Sequence, residues 1–235
     1  MDSFKNELRK TFRETITYYP DFIVNVIVDI ILFFIMFKYT SNVVGTITSF
    51  VLWILVSGVM SEASITISTE KQLGTLQNLL LKPTSILHTL INKTLSWMLI
   101  NLTKMIIVLS FVAIFYDISE IFDLRILIIF VITLIGILGF SLLLAVLTLI
   151  YTKVASFETI FSYLLLYLSG TFVDVPKFVI YTNPLSYATF LIKNINSIDF
   201  ANYIILIAIS IIWFLVGSFL FDIIFKKSKT FNWTY

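Results

Sequence analysis

The sequence predicts an all-α integral membrane protein with six transmembrane helices, and two observations lead to this prediction. Of the 235 residues, 59% are hydrophobic and only 13% are charged, whereas soluble domains usually carry about 25% charged residues. The hydrophobic residues are concentrated in stretches of the length that a membrane span needs, which is about 20 mostly apolar residues. We therefore expect spans near 21–39, 43–65, 94–116, 125–150, 154–172 and 201–225.

Residues 1–20 predict an N-terminal amphipathic helix rather than a signal peptide, because charged residues interrupt any apolar core of a signal. One stripe of this helix carries the apolar side chains, which are Phe4, Leu8, Phe12, Ile16 and Tyr19. Such a helix can lie in the plane of the membrane interface. A solvated helix that caps the helical bundle is the alternative. In either case we expect Pro20 to end the helix.

The distribution of lysine and arginine predicts that both termini lie in the cytoplasm. The N-terminal arm, the segment 66–93, Lys153 and the C-terminal tail carry most of the basic residues, and cytoplasmic loops are enriched in such residues. An even number of spans places both termini on the same side of the membrane, which agrees with this orientation. Since the sequence shows no internal repeat or linker, we expect residues 1–235 to form a single transmembrane domain.

The segment 173–200 lies on the opposite side and is too apolar for a free loop. It contains Pro176 and the pair Asn183-Pro184, which predict a break between two short helices. Irregular backbone at membrane depth must be buried in protein or face water. We therefore expect a re-entrant helical hairpin that dips into the outer leaflet before the last span.

The cytoplasmic segment 66–93 predicts a short amphipathic helix, a break at Pro83 and a second helix, which Thr84 or Ser85 can cap and which becomes the third span. Its apolar ridge consists of Leu73, Leu76, Leu79 and Leu80. A soluble partner could accept this ridge in a groove. From periodicity alone, the ridge could equally rest on the chain's own helical bundle.

Two segments of the sequence resemble motifs of the ABC-2 type permeases, the membrane subunits of ATP-binding-cassette exporters. The run from Glu70 to Leu80, followed by Lys82-Pro83, resembles E-R-x-x-G-T-L-x-x-L-L-x-x-P, with Lys71 in the place of the usual Arg. The run LSGTF at 168–172, then Pro176, then NPLSY at 183–187, is similar to that family's S-G … P … N-P-L-T-Y. The resemblance implies ATPase coupling at Glu70, Gly74, Thr75, Leu76, Leu79, Leu80 and Pro83, and an outer re-entrant segment that includes Gly170, Pro176, Asn183 and Pro184.

The resemblance further implies a half-transporter in a bacterial cell membrane. Two such chains, identical or different, would assemble with two ABC ATPase subunits. This chain would bind no cofactor, and ATP and Mg would lie on the partner ATPase. The sequence agrees, because it contains no G-x-x-x-x-G-K-[ST] phosphate loop.

The residues also limit other functions. With no cysteine and one histidine we expect no metal site, and we assign no catalytic residue. The net charge of +2 is too small for a nucleic-acid partner. We expect the cargo of an exporter to be amphipathic or hydrophobic, such as an antimicrobial peptide, a drug or a lipid-like molecule. The alternatives are a self-contained secondary transporter and a non-transporting membrane immunity protein.

Charged residues inside the predicted spans are the remaining candidates for a functional site. Asp29 lies nine residues after Pro20, and Lys104 lies eleven after Lys93, which places both roughly 13–16 Å along their helices. They could form an ion pair that holds the bundle together, or Asp29 could face the translocation path with Asn25, one turn before it. We expect the remaining carboxylates to be solvated or locally paired near the cytoplasmic ends of the spans; they are Glu62, Glu158 and Asp222.

Overall fold

The computed structural model describes residues 2–37, 43–74, 86–151 and 155–228, and within these ranges the chain is helical and has no β-strand. The α-helices are α1 (Asp2–Thr17), α2 (Tyr19–Phe37), α3 (Val43–Gln72), α4 (Ile86–Val112), α5 (Leu124–Ile150), α6 (Ala155–Leu168), α7 (Lys177–Thr182), α8 (Pro184–Lys193) and α9 (Phe200–Ser228). Two short 3-10 helices span Ser119–Phe122 and Ile195–Ser197.

Helices α3, α4, α5 and α9 are long and apolar enough to cross a membrane, so the chain is a multi-pass membrane protein. The bent pair α1–α2 counts as a fifth candidate span. Helix α6 has only 14 residues, or about 21 Å, whereas a bilayer core is about 30 Å thick. The expected number of six spans is therefore not confirmed, because the described residues contain four helices that qualify as spans by themselves and up to five with the bent pair.

The junction of α1 and α2 differs from the prediction that Pro20 ends the first helix. Helix α1 already ends at Thr17, Tyr18 forms a turn, and Pro20 is the second residue of α2. Proline is well accommodated in a first turn, where its missing N–H group has no partner to lose. The two helices meet at 82°.

The centre of the bundle is α3, which packs against α4, α5, α6 and α8. Helix α9 lies along α5, and their backbones approach closely at Gly139 and Gly217. A Cβ atom on Gly139 would lie 2.5 Å from the backbone of Trp213, and one on Gly217 would lie 2.5 Å from the carbonyl oxygen of Gly139. Small residues permit such contacts between membrane helices.

The structure agrees in part with the expected organisation of the segment 66–93. Helix α3 continues to Gln72, seven residues beyond the expected end of the second span at 65. Helix α4 begins at Ile86, as expected for a second helix that starts after the break at Pro83 and becomes the third span. Most of the expected short helix, residues 75–80, lies outside the described residues. Five of the residues assigned to ATPase coupling lie outside the described residues; they are Thr75, Leu76, Leu79, Leu80 and Pro83.

The segment 173–200 contains the two short helices α7 and α8, which are separated at Asn183. The side-chain oxygen of Asn183 accepts a hydrogen bond from the N–H group of Leu185 at 3.0 Å, and Pro184 is the first residue of α8. This is the usual chemistry of a helix start, with an asparagine cap followed by proline. Helix α8 is buried along most of its length.

Candidate functional site

A polar cleft lies between α1, α2, α3, α4 and α6. It consists of two adjoining cavities of about 470 Å³ and about 330 Å³. Four side chains line both cavities: Asn25, Glu62, Asn101 and Lys104. Such a concentration of polar groups is unusual among apolar helices and makes this cleft the candidate functional site.

Asp29 and Lys104 meet in this cleft. The amino group of Lys104 lies 2.8 Å from Oδ2 of Asp29, and the side chains are only 11% and 13% exposed. The pair joins α2 to α4, and Asn25 is exposed on the cavity wall one turn before Asp29. The structure thus brings together the two charged residues whose depths agree in the sequence.

Four further carboxylates line the same cleft: Glu14 and Asp21 line the first cavity, Glu158 lines the second, and Glu62 lines both. The hydroxyl group of Ser61 donates a hydrogen bond to Oε2 of Glu158 at 3.2 Å, which joins α3 to α6. Glu62 lines both cavities and, among the described residues, its carboxylate makes no hydrogen bond or ion pair. Sequence reasoning expected Glu62 and Glu158 to be locally paired or solvated near helix ends, and it did not place them in one cavity with Asp29 and Lys104.

Small residues on α3 make room for this cleft. Ser57, Gly58 and Ser61 line the second cavity, and a Cβ atom on Gly58 would overlap the side-chain amide of Asn101. Spacings of four residues place Ser57 above Ser61 and Gly58 above Glu62 on one helix face. That stripe of small and polar residues on one helix face is the signal in the sequence from which this wall of the cleft could have been predicted.

Aromatic side chains form part of the walls of the cleft. The rings of Trp53 and Tyr163 lie 5.9 Å apart beside the second cavity, and the indole N–H group of Trp53 donates to the carbonyl oxygen of Ser162 at 2.8 Å. Trp97 and Phe22 line the first cavity. The cleft therefore offers both charged groups and aromatic surface to a molecule that enters it.

The C-terminal end of α3 is fixed to α5 by Lys71. Its buried amino group donates to the carbonyl oxygens of Thr148 at 3.1 Å and Leu149 at 2.9 Å. These carbonyl groups belong to the last turn of α5, where a cation interacts favourably with the helix dipole. Lys71 stands at the arginine position of the motif that the sequence resembles, and in this chain the cation at that position binds the end of α5.

Two of the residues assigned to ATPase coupling are described at this end. Glu70 lies in the last turns of α3, and Gly74 follows the end of α3 with a φ of 67°. Glycine adopts this left-handed conformation without steric cost and commonly terminates helices. Leu73, the first residue of the apolar ridge, is 74% exposed.

At the opposite end, the structure joins the two halves of the second motif. The hydroxyl group of Ser186 donates to the carbonyl oxygen of Leu168 at 2.6 Å, and the amino group of Lys193 donates to that of Gly170 at 2.5 Å. Gly170 has a φ of 74°, which again favours glycine. Burial lowers the pKa of the Lys193 amino group.

Helix α8 also packs closely against α5, since a Cβ atom on Gly136 would lie 2.7 Å from the ring of Pro184. Pro176 is exposed at the start of α7. Sequence reasoning did not assign roles to Lys71 and Lys193, because their hydrogen-bond acceptors are backbone carbonyl groups that no motif reveals.

Comparison with known proteins identifies the family. The sequence model of the ABC-2 type transporters matches residues 3–195, which is most of the chain and confirms the resemblance of its motifs. No match was found among curated proteins. Members of this family are permease subunits of transporters, are generally non-catalytic by themselves and normally work with an ABC ATPase. The chain belongs to the ABC-2 type transporter family.

Proposed function

We propose that this chain is the membrane-spanning permease subunit of an ATP-driven exporter and that the polar cleft is its half of the translocation path. Two permease chains, identical or different, work with two ABC ATPase subunits, which hold ATP and Mg. The cargo is amphipathic or hydrophobic. The cleft carries this proposal, since it combines charged groups with aromatic walls among membrane helices.

The energetics of burial support this role. A charge at the centre of a bilayer costs about 2.5–3.5 kcal/mol on insertion scales, so charged residues face cavities, form pairs or serve a function. Asp29 and Lys104 pair with each other. Glu62 has no such partner among the described residues, and it lies where a passing cargo or water would meet it.

The proposed topology places the chain in a bacterial cell membrane with both termini in the cytoplasm. Helices α2 and α6 complete the six spans, and α1 lies in the interface. The angle of 82° between α1 and α2 supports this arrangement, because a helix perpendicular to a span is parallel to the membrane plane. Helices α7 and α8 form the re-entrant hairpin in the outer leaflet.

The segment from Glu70 to Pro83 couples this permease to the ATPase. Lys71 fixes the start of this segment to the C-terminal end of α5, and the middle of α5 packs closely against Pro184 of the outer hairpin at Gly136. A movement of the coupling segment can therefore be transmitted through α5 to the opposite side. Closure of the ATPase dimer then moves the two permease chains relative to each other and opens the path outward.

The coupling role is tested with Leu76→Asp combined with Leu80→Asp. This variant should lose co-purification of the ATPase and transport, while its folded yield stays normal. Leu124→Asp is a matched control, because Leu124 is exposed at the start of α5, away from the end that Lys71 contacts. This control variant should still co-purify with the ATPase. Retention of both ATPase binding and transport by the double variant would contradict the coupling role.

The translocation role is tested with Glu62→Gln. It should change transport or its cargo preference without loss of ATPase binding or folded yield. Asp222→Asn removes an exposed carboxylate that does not line the cleft and is the control. If Glu62→Gln leaves the transport of every tested cargo unchanged, the cleft is not the path.

A further inference from the structure

An apolar groove runs between α1 and α4 and adjoins the first cavity of the polar cleft, with which it shares the lining residues Thr15, Phe22 and Ile100. Its volume is about 700 Å³. The walls carry large apolar side chains, including Phe12 and Ile16 of α1, Phe22 of α2 and Leu99 of α4. Phe12, Ile16 and Leu99 are exposed, so the bundle itself does not fill the groove.

Two cations lie at one end of this groove. Lys5 and Arg9 are exposed, line the groove and are one turn apart on α1. Within the described ranges neither side chain makes an ion pair or a hydrogen bond, and no acidic residue lines the groove. Lys10, by contrast, lies 3.9 Å from Glu14, and neither Lys10 nor Arg13 lines the groove, although both line a neighbouring pocket that also includes Arg9.

We propose that the groove binds one anionic phospholipid of the bilayer, with its phosphate between Lys5 and Arg9 and an acyl chain along Phe12, Ile16 and Leu99. The guanidinium group of arginine matches the geometry of phosphate oxygens, and basic residues at a membrane surface attract anionic lipids. The apolar walls select a lipid over free phosphate. The bound lipid fills the space between α1 and α4 and holds α1 against the bundle.

Native mass spectrometry of the purified full-length chain tests the lipid preference. We compare phosphatidylglycerol with phosphatidylcholine of the same acyl chains. The unaltered chain should retain one phosphatidylglycerol more tightly than phosphatidylcholine. Lys5→Gln with Arg9→Gln should weaken the binding of phosphatidylglycerol about 30-fold, since each basic residue contributes about fivefold to the affinity for an anionic lipid.

The matched control is Lys10→Gln with Arg13→Gln, which removes the same charge from α1 but leaves the groove unchanged. It should keep the preference for phosphatidylglycerol. Equal losses in the two double variants would overturn the proposal, because they would indicate attraction by net charge alone. Equal retention of both lipids by the unaltered chain would also overturn it. A thermal unfolding curve for each variant separates loss of binding from loss of folding.

A labelling experiment tests the position of the acyl chain. The sequence contains no cysteine, so Thr103→Cys provides a single attachment site for a fluorophore in the groove. Brominated phosphatidylglycerol should quench this fluorophore at a lower mole fraction than brominated phosphatidylcholine, and Lys5→Gln with Arg9→Gln should remove the difference. Quenching that is identical for the two lipids would refute a lipid site in this groove.

Discussion

The ion pair between Asp29 and Lys104 gives the most quantitative prediction. Lys104→Met keeps most of the side-chain volume but removes the cation 2.8 Å from Asp29, where both side chains are nearly buried. Loss of one partner leaves an uncompensated charge, which costs about 3–5 kcal/mol in a buried pair and about 2.5–3.5 kcal/mol at the centre of a membrane. We expect a loss of about 3 kcal/mol in the free energy of unfolding, or about 100-fold in the ratio of folded to unfolded protein.

The assay is the midpoint of thermal unfolding in mild detergent, measured by the folded fraction that survives heating. Lys104→Met and Asp29→Asn should each lower the midpoint, and the double variant should recover most of the loss, because no lone charge remains. Asp222→Asn is the control, since its carboxylate is exposed, and it should have little effect. An unchanged midpoint for Lys104→Met would refute the reasoning, and so would a double variant whose losses simply add.

Three other substitutions test the packing and the helix ends. Gly139→Val should destabilise the chain by about 1–3 kcal/mol and reduce the folded yield, because the valine side chain would overlap the backbone at Trp213. An unchanged folded yield and an unchanged midpoint of thermal unfolding would contradict the close contact of α5 and α9. Lys71→Met should lower the free energy of unfolding by about 1–3 kcal/mol, because the carbonyl groups of Thr148 and Leu149 lose their donor. Lys71→Arg should keep near-normal stability. Equal midpoints of thermal unfolding for these two variants would argue against this role of Lys71. Asn183→Ala should lower the free energy of unfolding by about 1 kcal/mol, because the N–H group of Leu185 loses its capping hydrogen bond. A midpoint of thermal unfolding equal to that of the unaltered chain would show that the cap does not contribute to stability.

The sequence predicted the features that depend on local pattern. The apolar stretches that became α3, α4, α5 and α9 were long enough to be recognised by length and composition. Asn183-Pro184 predicted a helix break, because an asparagine cap and a following proline act on neighbouring residues. The depths of Asp29 and Lys104 agreed, because the rise of a helix is regular.

The features that the sequence did not predict depend on how helices pack sideways. Glu62 and Glu158 are 96 positions apart in the sequence, and only the contact of α3 with α6 brings them to one cleft. Lys71 binds carbonyl groups 77 and 78 residues away, and every residue offers such an acceptor. The periodicity of a sequence indicates which face of a helix is polar, but it does not indicate which other helix packs against that face.

The most direct test of the central claim is to purify the tagged chain in mild detergent after co-expression with its neighbouring reading frames, and to identify by mass the proteins that remain bound. The proposed function predicts an ATPase with a G-x-x-x-x-G-K-[ST] loop at about one copy per permease chain. A chain that reproducibly purifies as a stable dimer without an ATPase would contradict the proposal of an ATP-driven exporter and would remove the coupling role of residues 70–83.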